Sequence, residues 1–185
     1  MVYRYVDRVT RVESGAAGSE REIGRWMILA TWIVLVALLT LIFGKLIDKQ
    51  ANPNATVETV MDGEGGRHVV LQRNRAGHYV ATGLINDQPV TFLIDTGATD
   101  VALSSTLADK LKLVRGARYS SRTANGSVTA WQTSLARVAL GGIEVRNVKA
   151  SILPSLPEDE VLLGMSFLKH LELVQRDGEL QLRQY

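Results

Sequence analysis

The chain has 185 residues, 46% of them hydrophobic and 22% charged, and a formal net charge of +2. That is room for one ordinary domain with appendages, and too weak a positive charge to point to a nucleic-acid partner. The absence of cysteine excludes disulfide frameworks, thiolate metal sites and a cysteine nucleophile. His68, His78 and His170 match no metal-ligand spacing such as HExxH, so neither a metal nor another cofactor is expected.

The first segment, 1–25, is expected to be a cytoplasmic N-terminal region. Val2, Tyr5, Val6, Val9 and Val12 recur at helical spacing, which predicts a short amphipathic helix. Gly15 to Ser19 then reads as a flexible joint. Residues 26–44 run WMILATWIVLVALLTLIFG without a charge. As a helix this run spans about 28 Å, close to the hydrocarbon core of a bilayer. A buried soluble helix is seldom apolar on every face for so long. A cleaved signal peptide fits poorly, because the run starts late and no A-x-A site follows it. The reading is therefore a retained signal anchor, with Trp26 at headgroup level. Arg8, Arg11, Arg21 and Arg25 precede the anchor closely and only Lys45 and Lys49 follow it, which puts the N-terminus in the cytoplasm. Residues 45–66, polar and carrying Pro53, Gly63, Gly65 and Gly66, read as a linker.

From 67 to 185 the pattern is that of short strands. His68–Arg73, Tyr79–Ile85 and Val90–Ile94 are β-rich runs separated by turn signals at Arg75-Ala76-Gly77 and Asn86-Asp87-Gln88-Pro89. Ser104–Leu113 predicts a short capped helix. Arg118–Ala124 and Val128–Leu140 form a hairpin about Asn125-Gly126, and Gly141-Gly142 turns the chain into Ile143–Leu153. A loop over Pro154–Glu160 leads to Val161–Leu163, a short helix over Met165–Leu171 and a closing hairpin at Asp177-Gly178. Many short strands joined by tight turns predict an all-β, barrel-like domain with one or two short helices.

The chemistry-bearing stretch is Phe92-Leu93-Ile94-Asp95-Thr96-Gly97-Ala98-Thr99. A carboxylate directly after an apolar strand is costly unless it is hydrogen-bonded or shared. Asp-Thr-Gly is also good turn chemistry, so a strand-ending Asx turn is the plain alternative. Two further features follow in order: the Asn125-Gly126 hairpin about thirty residues on, and Val161-Leu162-Leu163-Gly164, an apolar run ending in glycine. Each admits an ordinary reading, as a simple hairpin and as a helix boundary.

As an ordered set over 67–185 these motifs resemble the retropepsin-like aspartic proteases, the bacterial membrane-anchored members more than the viral ones. The resemblance implies an all-β acid-protease barrel of a single lobe, preceded by one transmembrane helix. It implies that Asp95 is the catalytic carboxylate and that Thr96, Gly97 and Ala98 complete the active-site loop. Asn125 and Gly126 would then tip a substrate-binding flap over Arg118–Gln132, and Gly164 would lie where a strand passes too close to the Asp95 loop for a side chain. The chemistry it implies needs two carboxylates that share a proton, one activating water and the other protonating the peptide carbonyl and then the leaving amine. Asp87, Asp100, Asp109, Asp159 and Asp177 are followed by neither Thr-Gly nor Ser-Gly, so the chain carries one such aspartate. A homodimer acting on protein or peptide substrates is the direct solution, with the C-terminal strands Leu171–Val174 and Glu179–Arg183 implied for its sheet by the resemblance. The expected setting is the bacterial inner membrane, with the protease domain periplasmic. Thr99 stands where many viral relatives have an acidic residue, and Met165 follows Gly164 where an arginine is frequent. Two other readings are a membrane-anchored module that binds peptides without cutting them, and an unrelated barrel in which Asp95 only caps a strand.

Overall fold

The computed structural model describes residues 16–61, 66–123 and 126–185. The expected amphipathic helix before Gly15 and the flap-tip residue Asn125 lie outside the described residues. The chain divides into two compact units, Met1–Leu46 and Ile47–Tyr185.

A single helix, α1, runs over Ala16–Ala51. Within it Gly24–Ala51 is long and apolar enough to cross a membrane, with a mean hydropathy of 2.6 over its most apolar window. Large side chains point outward all round it; Trp26 is 71% and Ile33 69% exposed. Thr31 and Thr40 turn their hydroxyls back onto the carbonyls of Met27 and Val36, each at 2.8 Å, which gives both hydroxyl donors a partner within the apolar run. The joint expected over Gly15–Ser19 is corrected where it is described, because the helix already runs from Ala16. One glycine, Gly18, costs about 1 kcal/mol in a helix and does not stop one flanked by Ala16, Ala17 and Glu20.

The segment read as a free linker over 45–66 is likewise tied down in part. Helix α1 persists to Ala51, and Thr59–Met61 forms strand β1 on β2 (Arg67–Gln72). Between them Asn54 is 4% exposed. Its Nδ2 donates to the carbonyls of Gln72 (2.9 Å) and Val80 (2.7 Å), and its Oδ1 accepts from the amide of Gln72 (2.7 Å).

The remaining elements are β3 (Val80–Ile85), β4 (Gln88–Ile94), β5 (Val101–Leu103), α2 (Ser105–Lys110), β6 (Arg118–Thr123), β7 (Gly126–Leu140), β8 (Ile143–Ile152), β9 (Glu160–Leu163), α3 (Met165–Leu168), β10 (Glu172–Arg176) and β11 (Glu179–Gln184). The expected mostly-β fold with short helices is found. Asn86 and Asp87, both at positive φ, make the tight turn into β4, as do Asp177 and Gly178 between the last two strands. Gln88 and Pro89, assigned to that first turn from sequence, belong to β4 instead. The proline is tolerated because β9 reaches only Thr91–Ile94, leaving β4 with β3 alone beside Pro89. Both helices end earlier than expected, α2 at Lys110 and α3 at Leu168; the Ser104 hydroxyl caps α2 by accepting from the Leu107 amide.

Seven strands lie in the order β3-β4-β9-β5-β8-β7-β6, and β3 also pairs with β7 through Leu84↔Ala139 and Ile85↔Val138. That extra pairing closes the sheet on itself, so the buried alternate residues of its strands share one interior. Phe92, Leu103, Leu135, Ile152, Leu163 and Phe167 are fully buried there, each worth about 1.5–3 kcal/mol of apolar burial. A second sheet, β1-β2-β11-β10, is antiparallel throughout.

Strand β9 is threaded between β4 and β5, parallel to β4 and antiparallel to β5. The ends of β4 and β9 therefore lie side by side, and the chain leaving β4 must loop around the end of β9 to reach β5. That loop is 95–100.

Candidate active site

Asp95 is the first residue beyond β4. Its amide donates to the carbonyl of Leu163 at 3.2 Å, continuing the β4–β9 ladder one residue past the strand. Its carboxylate Oδ1 accepts from the Gly97 amide at 2.8 Å, and its carbonyl from the Ala98 amide at 3.3 Å. The carboxylate is thus part of an Asx turn and remains partly exposed.

The loop is held from beneath by α3. The amides of Met165 and Ser166 donate to the carbonyls of Ala98 (2.8 Å) and Thr99 (2.9 Å). Ser166 also accepts on Oγ from the Val101 amide (3.0 Å) and donates to the Lys149 carbonyl (2.8 Å), joining α3, β5 and β8 through one buried hydroxyl. Gly164 lies under the loop. A Cβ there would stand 2.7 Å from the carbonyl oxygen of Ala98 and closer still to that of Asp100. The close approach of two backbones, rather than a helix boundary as such, is what requires glycine at this position.

Above the loop is a cavity of about 780 Å³, lined by Asp95, Gly97 and Ala98 among others. Its far wall is Tyr119–Ser121 of β6, the outer strand of the long hairpin, and its floor includes Ala102, Leu153 and Leu162. Of the residues singled out in the sequence, Asp95, Gly97 and Ala98 line the cavity together and Gly164 packs below them. Thr96 is exposed and Gly126 opens β7; neither lines the cavity. The hairpin contributes its stem to this wall.

Among the cavity residues that the sequence does not single out are Asp100 and Ser151, while Tyr119 enters through the stem of the expected flap. Ser151 is 4% exposed, and a serine between Ala150 and Ile152 in a buried strand was the one available hint. Among the described residues no Lys, Arg or His lines the cavity, and no group of three His, Asp or Glu is placed to hold a metal. Away from the cavity, Asp109 is held below its ordinary range by a hydrogen bond from Arg115, and Glu144 by one from Arg137.

Residues 81–170, which contain the Asp95 loop, the hairpin and Gly164, match the family model described as "gag-polyprotein putative aspartyl protease". The crystal structure of a retropepsin-like aspartic protease from Rickettsia conorii superposes with a TM-score of 0.54 and 31% identity, over 70% of this chain and 96% of that one. An uncharacterized protein of the cobV 5′ region in a Sinorhizobium species is 37% identical over 128 residues, 67% of this chain and 55% of its own length. An uncharacterized protein from Rickettsia prowazekii is 32% identical over 121 residues, 63% of this chain and 51% of its own length. The chain thus spans about half the length of the curated relatives it matches.

Proposed function

The chain belongs to the retropepsin-like aspartic protease family, and from that premise we propose that it is a membrane-anchored endopeptidase in which two copies each supply Asp95. The observation that carries this reading is the position of Asp95: a carboxylate lining a cavity of about 780 Å³, on a loop clamped by β9 and α3. Preorganised groups of this kind stabilise a transition state without moving during the reaction.

One carboxylate cannot be both base and acid in a single step. With Asp95 from a second copy across a two-fold axis, the pair retains one proton because two adjacent negative charges repel. The ionised member removes a proton from water, which attacks the peptide carbonyl. The protonated member gives its proton to the carbonyl oxygen, and the tetrahedral intermediate collapses as the amine is protonated. Thr96 and Gly97 would lie at the axis, and the 118–132 hairpin, including Asn125 and Gly126, would fold over the substrate. Residues 26–44 would hold 67–185 at the membrane, with 1–25 in the cytoplasm and the protease domain periplasmic, following the excess of arginine before the anchor.

Full-length protein in detergent micelles, given denatured casein at mildly acidic pH, is expected to release peptides. Asp95→Asn should reduce the rate at least about a hundredfold, the usual worth of a general acid or base, with an unchanged unfolding midpoint. Equal cleavage by the variant and the parent would overturn the assignment.

A further inference from the structure

The cavity holds a second carboxylate that the proposed chemistry does not use. Asp100 is the last residue of the 95–100 loop, immediately before β5. Its Oδ2 accepts from the Ser151 hydroxyl at 3.4 Å. The Ser151 oxygen is in turn 2.6 Å from the hydroxyl of Tyr119. A serine hydroxyl has one proton; once it points at Asp100, the tyrosine must be the donor in the second bond. In that arrangement both hydrogen bonds run toward Asp100 and orient its carboxyl group. Three separate strands contribute: β6 carries Tyr119, β8 carries Ser151, and β5 runs beside β8 with Ala102 opposite Ser151.

The surroundings define what this carboxylate can take. Ala102, Leu153 and Leu162 make an apolar floor in the same cavity, and no cationic side chain among the described residues neutralises it. Asp95 adds a second negative group on the near side. A neutral apolar side chain would cover the floor and leave Asp100 partly desolvated without an opposite charge. A carboxylate would be repelled by both. A long aliphatic stem with a cationic end satisfies the floor and the wall together. Divalent metal is a poor fit, since no third acidic or imidazole ligand converges there among the described residues.

We propose that Asp100, oriented by Ser151 and Tyr119, makes this cavity a specificity subsite for a lysine or arginine side chain of the bound peptide. The assignment rests on the protease reading for cleavage, but not for binding, which allows the two to be separated.

Two peptide pools, degenerate over small and apolar residues, would differ only in a fixed central lysine or norleucine. Binding to the full-length protein in micelles is read by fluorescence anisotropy and cleavage by mass spectrometry. The lysine pool should bind and be cut about tenfold better, as expected for a charge pair in a partly enclosed cleft. The ratio should shrink with added salt, fall to about one in Asp100→Asn, and invert for a matched glutamate pool in Asp100→Lys. Ser151→Ala should lower the ratio by a smaller factor, and it serves as the second variant should either Asp100 change disturb folding. Cleavage without lysine preference, or a preference unchanged in Asp100→Asn, would overturn the subsite. Preferential binding of the lysine pool with no cleavage would uphold the subsite and overturn the protease reading. Neither binding nor cleavage of either pool would overturn both.

Discussion

Gly164 is the residue at which the site depends most directly on backbone packing. Its φ of −89° and ψ of −173° are open to any residue, so alanine would meet no conformational penalty there. A Gly→Ala change at such a φ/ψ ordinarily stabilises by about 0.4–1 kcal/mol through the unfolded chain. Here the added methyl would press on the carbonyls of Ala98 and Asp100, which are backbone atoms held by α3 and cannot swing away. Overpacking of this kind costs about 1–3 kcal/mol, and it outweighs the gain. Gly164→Ala is expected to lower the urea midpoint and, by lifting the Asp95 loop, to reduce cleavage more than it reduces stability. A variant as stable and as active as the parent would show that the loop yields freely. Asp95 and Gly164 could be located in the sequence because each ends an apolar run with a residue that run does not call for. Ser151 could not, since its partners lie 32 and 51 positions away and nothing local marks a serine in a strand as bridging two others.

Among the elements, those bounded by strong turn chemistry were legible: β3–β4, β7–β8 and β10–β11 join at Asn-Asp, Gly-Gly and Asp-Gly, as the sequence suggests. Strands β1 and β5 were not, because three residues are too few to display alternation. The parallel pairings of β4 with β9 and β5 with β8 were not legible either, since they join segments some 50 to 70 residues apart. The most instructive element is the chain after α1. Pro53 and the glycines there suggested free chain, yet Asn54 is buried and substitutes its amide for a missing strand partner, bonding Gln72 on both sides and Val80. Asn54→Ala would leave three backbone groups, two of Gln72 and one of Val80, without this partner. At about 1 kcal/mol or more each, the expected loss is about 3 kcal/mol. It is measured as the fall in denaturation midpoint of the full-length protein, together with new protease cuts near β1. A loss below about 0.5 kcal/mol would mean that water takes the place of the amide.

At the scale of the whole molecule, the proposed pairing of two Asp95 residues has a consequence that a one-chain site would not. Adding an equal amount of Asp95→Asn protein to the active protein, with exchange allowed, leaves a quarter of all dimers with two native carboxylates. Activity per native chain should then fall to about half, whereas independent chains would keep all of it. Unchanged activity after verified subunit exchange would remove the dimeric mechanism. Composition and periodicity in this chain were sufficient for the long apolar helix, the all-β domain, its tight turns and the exceptional aspartate at Asp95, because each is a property of consecutive residues. What only the tertiary structure decided is how distant segments meet: β9 threading between β4 and β5, α3 clamping the Asp95 loop from below, and Tyr119, Ser151 and Asp100 joining in one wall. The physical reason is that strand order and parallel pairing are set by burial and hydrogen bonding between segments far apart in the chain, which leave no local periodic trace.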